Sequence, residues 1–362
     1  MDAFTPQQTI ELVSRIGCKK THVRWDKLFW NSFMAGPLLG FGCAVMLSTE
    51  AAPWYQENAP GLIRTISAMF FPVGLIMIVL SGADLFTTDV MFMFTALLHR
   101  RASFLSLANV WITSFLGNLA GMLFFMAIVT GYGGVFEVPA YRMEVINFAT
   151  AKMLTPTWVQ IFCRAIGANW LVCFAVYISI SSREVASKIL AIWFPTFTFV
   201  ALGLDHVIAN MYFIPLAIFY GNPDIGVGLY IWKSMIPTTI GNVIGGGLFV
   251  AGIYWYLYLT GEGSDNITFN IGGLDSAMEV GGPMGPSRPR LVLDSANGEE
   301  EKGKKRMMNR KEPAQGHPDH VTSLPSSDQT MTSGLGRELT AEKYTNRKGT
   351  ASTIEGQPVE EV

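Results

Sequence analysis

Between Leu28 and Thr260 the chain returns repeatedly to apolar runs too long for the core of an ordinary soluble domain, and this constrains its fold more than any single motif does. A straight helix needs about 20 apolar residues to cross the hydrocarbon of a bilayer. Six spans are read on that basis, at 28–48, 62–98, 104–130, 158–180, 189–219 and 234–259. No water reaches the backbone at that depth, so spans of this kind must satisfy their own peptide groups and fold as helices. The fold class expected is therefore an all-α polytopic membrane protein of six transmembrane helices. The second and fifth spans are too long and too interrupted to be simple crossings.

Composition divides the chain. Only 15% of residues are charged, against about 25% in soluble domains, and all nine Trp precede residue 260. Residues 1–27 are read as a cytoplasmic N-terminal segment and 28–260 as the transmembrane domain. Residues 261–362 are read as a cytoplasmic tail too rich in Gly, Pro, Ser, Glu and Lys to form a core, and so disordered. The net charge of -2 gives no reason to expect nucleic acid. Cys18, Cys43, Cys163 and Cys173 stand singly, without the spacing of a metal site or a disulfide framework. No cofactor is expected.

Met1 to Lys27 lacks the apolar centre of a cleaved signal. Lys19, Lys20, Arg24 and Lys27 precede the first span, Arg100 and Arg101 follow the second, and Arg183 and Lys188 separate the fourth and fifth. With six crossings these bases fall on one side, which the positive-inside rule makes cytoplasmic together with both termini.

Two stretches are imperfect copies: Gly82-Ala83-Asp84-Leu85 in the second span and Gly203-Leu204-Asp205-His206 in the fifth. Each is preceded by a phenylalanine, Phe71 or Phe199, and followed by a Gly-Asn pair, Gly117-Asn118 or Gly241-Asn242. Each half holds an odd number of crossings, so the copies run oppositely through the bilayer as an inverted three-plus-three repeat. Such repeats bring broken helices together at a midplane binding site. Chance similarity among apolar segments is the alternative. Gly82 and Gly203 permit the turns, and Asp84 and Asp205 can cap the helices that resume after them. Two half-helix N-termini would then present free N–H groups that suit a small anion.

His206 is the one histidine well inside an apolar span. Intramembrane ionisable groups face pathways more often than packing, and an imidazole can donate a hydrogen bond or a proton to a weak-acid anion.

The segments GADLFTTDVM from Gly82, GNLAG from Gly117, ANWLVCFAV from Ala168, GLDHVIANMYFIP from Gly203 and IPTTIGNVIGGG from Ile236 together resemble the formate/nitrite transporters. The resemblance covers Leu28 to Thr260 in full order. It implies an aquaporin-like architecture, a homopentamer with one pore per subunit, and transport of nitrite or formate with the help of protons. It further implies that Phe71, Leu75 and Leu85 form one hydrophobic constriction and Phe199 another, with His206 in the chamber between them. Thr87 then belongs to the first broken loop, Asn169 and Asn242 to the surroundings of the histidine, and Lys152 to a vestibule. The long tail points to a fungal member in the plasma membrane, where lipid would be a further partner. A water or small neutral solute channel is the competing reading, but neither break carries the Asn-Pro-Ala element usual there. A membrane-embedded enzyme would need a reacting constellation, and the spans offer one histidine and two separated acids.

Overall fold

The computed structural model describes residues 3–261 together with Ile267 and Phe269. The remainder of the expected tail lies outside the described residues. In chain order the helices are α1 (Pro6–Lys20), α2 (Trp25–Glu50), α3 (Pro53–Asn58), α4 (Pro60–Phe70), α5 (Val73–Ser81), α6 (Phe86–Leu98), α7 (Phe104–Phe124), α8 (Pro139–Ala149), α9 (Trp158–Ser181), α10 (Val185–Ala201), α11 (Val207–Phe219), α12 (Val227–Tyr230), α13 (Ile236–Ile244) and α14 (Ile253–Leu259). Wider π turns continue α7 through Phe125–Tyr132 and α8 through Thr150–Leu154, and flank α13 at Ile231–Met235 and Gly245–Gly252. No strand occurs among the described residues.

Five continuous helical runs are long and apolar enough to cross a membrane: Trp25–Glu50, Pro60–Ser81, Phe104–Tyr132, Trp158–Ser181 and Val227–Leu259. The second of these bends at Pro72, where α4 passes into α5. Large apolar side chains such as Trp30, Leu105 and Phe194 stand exposed on the outside, as a lipid-facing surface requires. The protein is an all-α, multi-pass membrane bundle.

Two helix pairs hold the bundle by the same device. Gly121 on α7 lies so close to α2 that a Cβ there would strike the Phe33 carbonyl, and Gly245, just beyond α13, meets the Ile166 carbonyl of α9 in the same way. Each glycine stands four residues after another, Gly117 or Gly241, that also faces the partner backbone. Small residues at this spacing let membrane helices approach closely. The intervening asparagines, Asn118 and Asn242, are thereby carried deep into the interior, where both are fully buried.

The breaks fall where the duplicated glycines predicted. α5 stops at Ser81, Gly82 turns with φ 75°, and the chain resumes as α6 at Phe86. α10 stops at Ala201, Gly203 turns with φ 68°, and α11 starts at Val207. The half-helices α6 and α11 fill the centre of the bundle, and every residue from Val207 to Ala217 is buried.

The N-terminal segment is an ordered part of this core. Thr5 and Gln8 close a capping box at the start of α1. Ile10, Val13 and Ile16 then pack in one apolar cluster with Met91 and Phe92 of α6 and Val176 of α9.

Candidate functional site

The two broken helices meet at one hydrogen bond. His206 Nε2 lies 2.8 Å from Thr87 Oγ1, linking the start of α11 to the start of α6. The other ring nitrogen, Nδ1, accepts the backbone N–H of Ala209 at 3.2 Å and caps α11. An acceptor cannot carry a proton, so the hydrogen-bond network assigns the neutral tautomer with its proton on Nε2, donating to Thr87. Asn169 of α9 ties the same two points from behind. Its Nδ2 donates to the Thr87 carbonyl at 3.0 Å and to the Asn242 carbonyl at 2.7 Å.

Each break is sealed by an asparagine from a neighbouring helix. Asn118 accepts the Phe86 N–H at 2.8 Å and donates to the Asp84 carbonyl at 2.8 Å. Asn242 accepts the Val207 N–H at 2.9 Å and donates to the Asp205 carbonyl at 3.0 Å. These bonds satisfy peptide groups that would otherwise stand unpaired in a medium without water. They also correct the expectation that Asp84 and Asp205 cap the resuming helices. α6 has no side-chain cap of its own, and α11 is capped by His206.

The aspartates instead hold lysines. Lys20 of α1 pairs with Asp84 and, at 3.0 Å, with Asp89, all three being almost wholly buried. Asn31 donates to the other Asp84 oxygen at 3.0 Å. At the second break Lys152 lies 3.3 Å from Asp205 Oδ1 and donates to the Leu204 carbonyl at 2.7 Å. Lys152 sits in the π turn Thr150–Leu154, whose wider winding shifts its register relative to an unbroken helix. Removing one member of such a buried pair leaves a charge without compensation, which costs far more than the pair contributes.

A cavity of about 390 Å³ leads to the histidine from one side. Glu50, Arg64, Lys152 and Arg164 line its walls, and Phe71, Phe199 and His206 lie in its lining as well. Near the first break a void of about 20 Å³, room for a single water, is bounded by Lys20, Asp84 and Thr88.

The phenylalanines are placed differently from expectation. Phe71 and Phe199 do not belong to separate constrictions: their rings meet edge to face with centroids 5.4 Å apart, and the Phe199 ring lies 6.0 Å from the imidazole. The bend at Pro72 and the break at Gly203 carry α5 and α10 past each other, so residues preceding the two breaks share one wall. Leu75 and Leu85 are fully buried in the apolar core and do not line the cavity. The structure thus brings Thr87, Asn169, Phe199, His206 and Asn242 together, with Phe71 and Lys152 on the approach.

Sequence reasoning missed Lys20, Asp89, Asn31 and Arg64. In the sequence Lys20 reads only as a basic residue flanking a span. The Thr5–Gln8 capping box followed by Ile10, Val13 and Ile16 could have identified its helix, although not its partner.

The sequence profile of the formate/nitrite transporter family matches residues 7–256. A probable formate transporter of Methanothermobacter thermautotrophicus is 38% identical over 269 residues, covering 70% of this chain and 97% of its own length. Formate-nitrite transporter 3 of Toxoplasma gondii is 38% identical over 67% of this chain, which spans only 49% of that protein. A solved pentameric formate channel with formate bound is 25% identical, with TM-score 0.59, over 65% of this chain and 98% of the channel. Further relatives come from bacteria, yeast and an amoeba, so the likeness does not mark a fungal branch in particular.

Proposed function

The chain belongs to the formate/nitrite transporter family, and from that premise we propose that it moves formate or nitrite through the passage running from the 390 Å³ cavity, past the Phe71–Phe199 pair, to His206 and Thr87. The observation that carries this reading is the His206–Thr87 bond, at which the N-termini of two half-helices converge on a neutral imidazole. Helix N-termini favour negative charge. An anion collected by the cavity cations must shed its water between the rings, and a small anion in so apolar a passage is costly. A formate or nitrite that takes up a proton on the way removes that cost, so the protonated acid is the form that passes the rings. The Thr87 hydroxyl, whose oxygen accepts the Nε2–H of His206, then offers its own proton in a hydrogen bond that replaces lost water.

In the same reading the chain crosses the membrane six times as an inverted three-plus-three repeat with aquaporin-like architecture. Support comes from the matching sequence of break, sealing asparagine and paired lysine in the two halves. Both termini lie in the cytoplasm, by the distribution of Lys and Arg, and the cavity opens to the outside of the plasma membrane. The assembly is a homopentamer within lipid, as in the formate channel it resembles. Flux of formate and nitrite into vesicles bearing the purified chain tests this. Uptake above protein-free vesicles is expected for at least one of the two, and its absence in correctly inserted protein would end the proposal.

A further inference from the structure

The cavity contains more positive charge than Lys152 supplies, and part of it is held in no salt bridge among the described residues. Lys152 is matched by Asp205. Arg64, on α4, forms no salt bridge among the described residues and lies directly over the turn that leads to His206, where a Cβ at Gly203 would collide with its guanidinium. It stands at the same turn that Lys152 holds through the Leu204 carbonyl, and of the two cations it is the one without a carboxylate in a salt bridge.

Beside Arg64 stands a second group without a role. Glu50, at the end of α2, lines the cavity and lies within electrostatic reach of both Arg64 and Lys152. Ser67 donates to its carboxylate at 3.0 Å. Behind it is Glu144 of α8, a buried carboxyl that contacts Gln56, and Gln56 also donates to the Glu50 carbonyl at 2.7 Å. Gln56, Glu50 and Arg64 also border a second recess, which shares Glu50 and Arg64 with the cavity. Two acids packed together in partial burial resist ionising at once. With every group charged, the three cations in the cavity (Arg64, Lys152 and Arg164) are balanced by Asp205, Glu50 and Glu144.

We propose that Arg64 is a second anion-collecting residue of the cavity, and that Glu50, backed by Glu144, is a proton-operated brake on it. When the carboxyl pair holds one proton, a single carboxylate of the pair and Asp205 face three cations, so the local balance turns positive and the cavity draws anions. When the pair is fully ionised the balance is neutral, and the cavity, Arg64 included, holds anions less well. Burial, with the neighbouring Glu50 carboxylate adding to its effect, pushes the Glu144 carboxyl up to about 7, which places the change in a usable range. This inference rests on the transport reading.

Exchange of labelled formate across vesicles bearing the full chain, at equal concentration and equal pH on both faces, isolates the effect. No gradient then drives flux, and the fraction of free formic acid is the same for every variant at a given pH. Glu144→Gln should lower the KM for exchange at pH 8 by about threefold while matching the native chain at pH 5.5. Arg64→Gln should raise the KM at pH 5.5 by about threefold or more, with the maximal rate much less affected, and Arg64→Lys should recover most of the loss. The double variant should show the high KM at both pH values. A native KM in Arg64→Gln, or a native pH dependence in Glu144→Gln, would overturn the proposal. Should Arg64→Gln fail to assemble, Arg64→Lys and Glu144→Gln, which preserve shape, still decide it. A native chain that exchanges neither formate nor nitrite would remove the transport reading itself, a result separable from the other two.

Discussion

His206 Nδ1 accepts the backbone N–H of Ala209, so the cap on α11 and the protonation state of the central imidazole are one and the same interaction. A proton added at Nδ1 would set two donors against each other and open the first turn of the helix. The imidazole is therefore a fixed donor through Nε2, in place of the titrating group that its residue type suggests.

His206→Asn separates these roles. Asparagine is a good N-cap, so folding should stay within about 1 kcal/mol of the native chain while formate flux falls by about tenfold or more through loss of the Nε2–H donor. The shape of flux against pH should remain that of the native chain. A flattened profile in His206→Asn, measured at equal protein incorporation, would show that the imidazole titrates after all.

Lys20→Met is expected to be severe although Lys20 lies outside the spans. It leaves Asp84 and Asp89 buried without their cation, and breaking such a pair costs about 3–5 kcal/mol. Thermal unfolding in detergent should show a large loss, with partial recovery when Asp84→Asn is added. A native melting temperature in Lys20→Met would mean that water reaches the acids.

Phe71→Ala and Phe199→Ala should each let chloride leak into vesicles that the native chain keeps closed. Because the rings touch, their effects on stability should couple by about 0.5–1.5 kcal/mol in a double-mutant cycle. Strict additivity, with chloride still excluded, would place the rings outside the barrier.

Glu144 gives a pH-dependent stability of definite sign. Its carboxyl lies near 7 in the folded protein and near 4.5 in the unfolded chain, so the folded state holds the proton more tightly. Stability is then highest at low pH as far as this group is concerned, declines as pH rises through about 4.5 to 7, and levels off above that. Glu144→Gln should remove this decline, so that the variant gains most over the native chain above about pH 7. Melting temperatures from pH 4 to 8 would show it, and parallel curves would refute it.

The apolar spans and the two breaks were legible because each signal is local: a run of the right length, and a glycine where the chain needs positive φ. Thr87 and Asn169 came from family resemblance, since nothing in their immediate neighbourhood distinguishes them, whereas Lys152 is also legible as a positive charge just ahead of the fourth span. The union of Phe71 with Phe199 was not legible, because spacing along two helices does not reveal depth when one is bent at Pro72 and the other breaks at Gly203. Nor was the pairing of Lys20 with Asp84, where a cation counted as a topological flag turned out to neutralise a buried acid on another helix. Asn118 was noted as part of a motif, and only the close approach permitted by Gly117 and Gly121 explains why an amide belongs there.

Asn169 spends both N–H groups of a single planar amide on the Thr87 and Asn242 carbonyls, and so fixes the spacing of the elements that meet at His206. The two half-helices cannot part there without giving up both bonds together. The rings of Phe71 and Phe199 are held by no hydrogen bond, and they are the parts able to swing aside. Along the proposed route the centre is thus tied by hydrogen bonds and the rim is not, an arrangement that would let a solute pass by the movement of two rings alone.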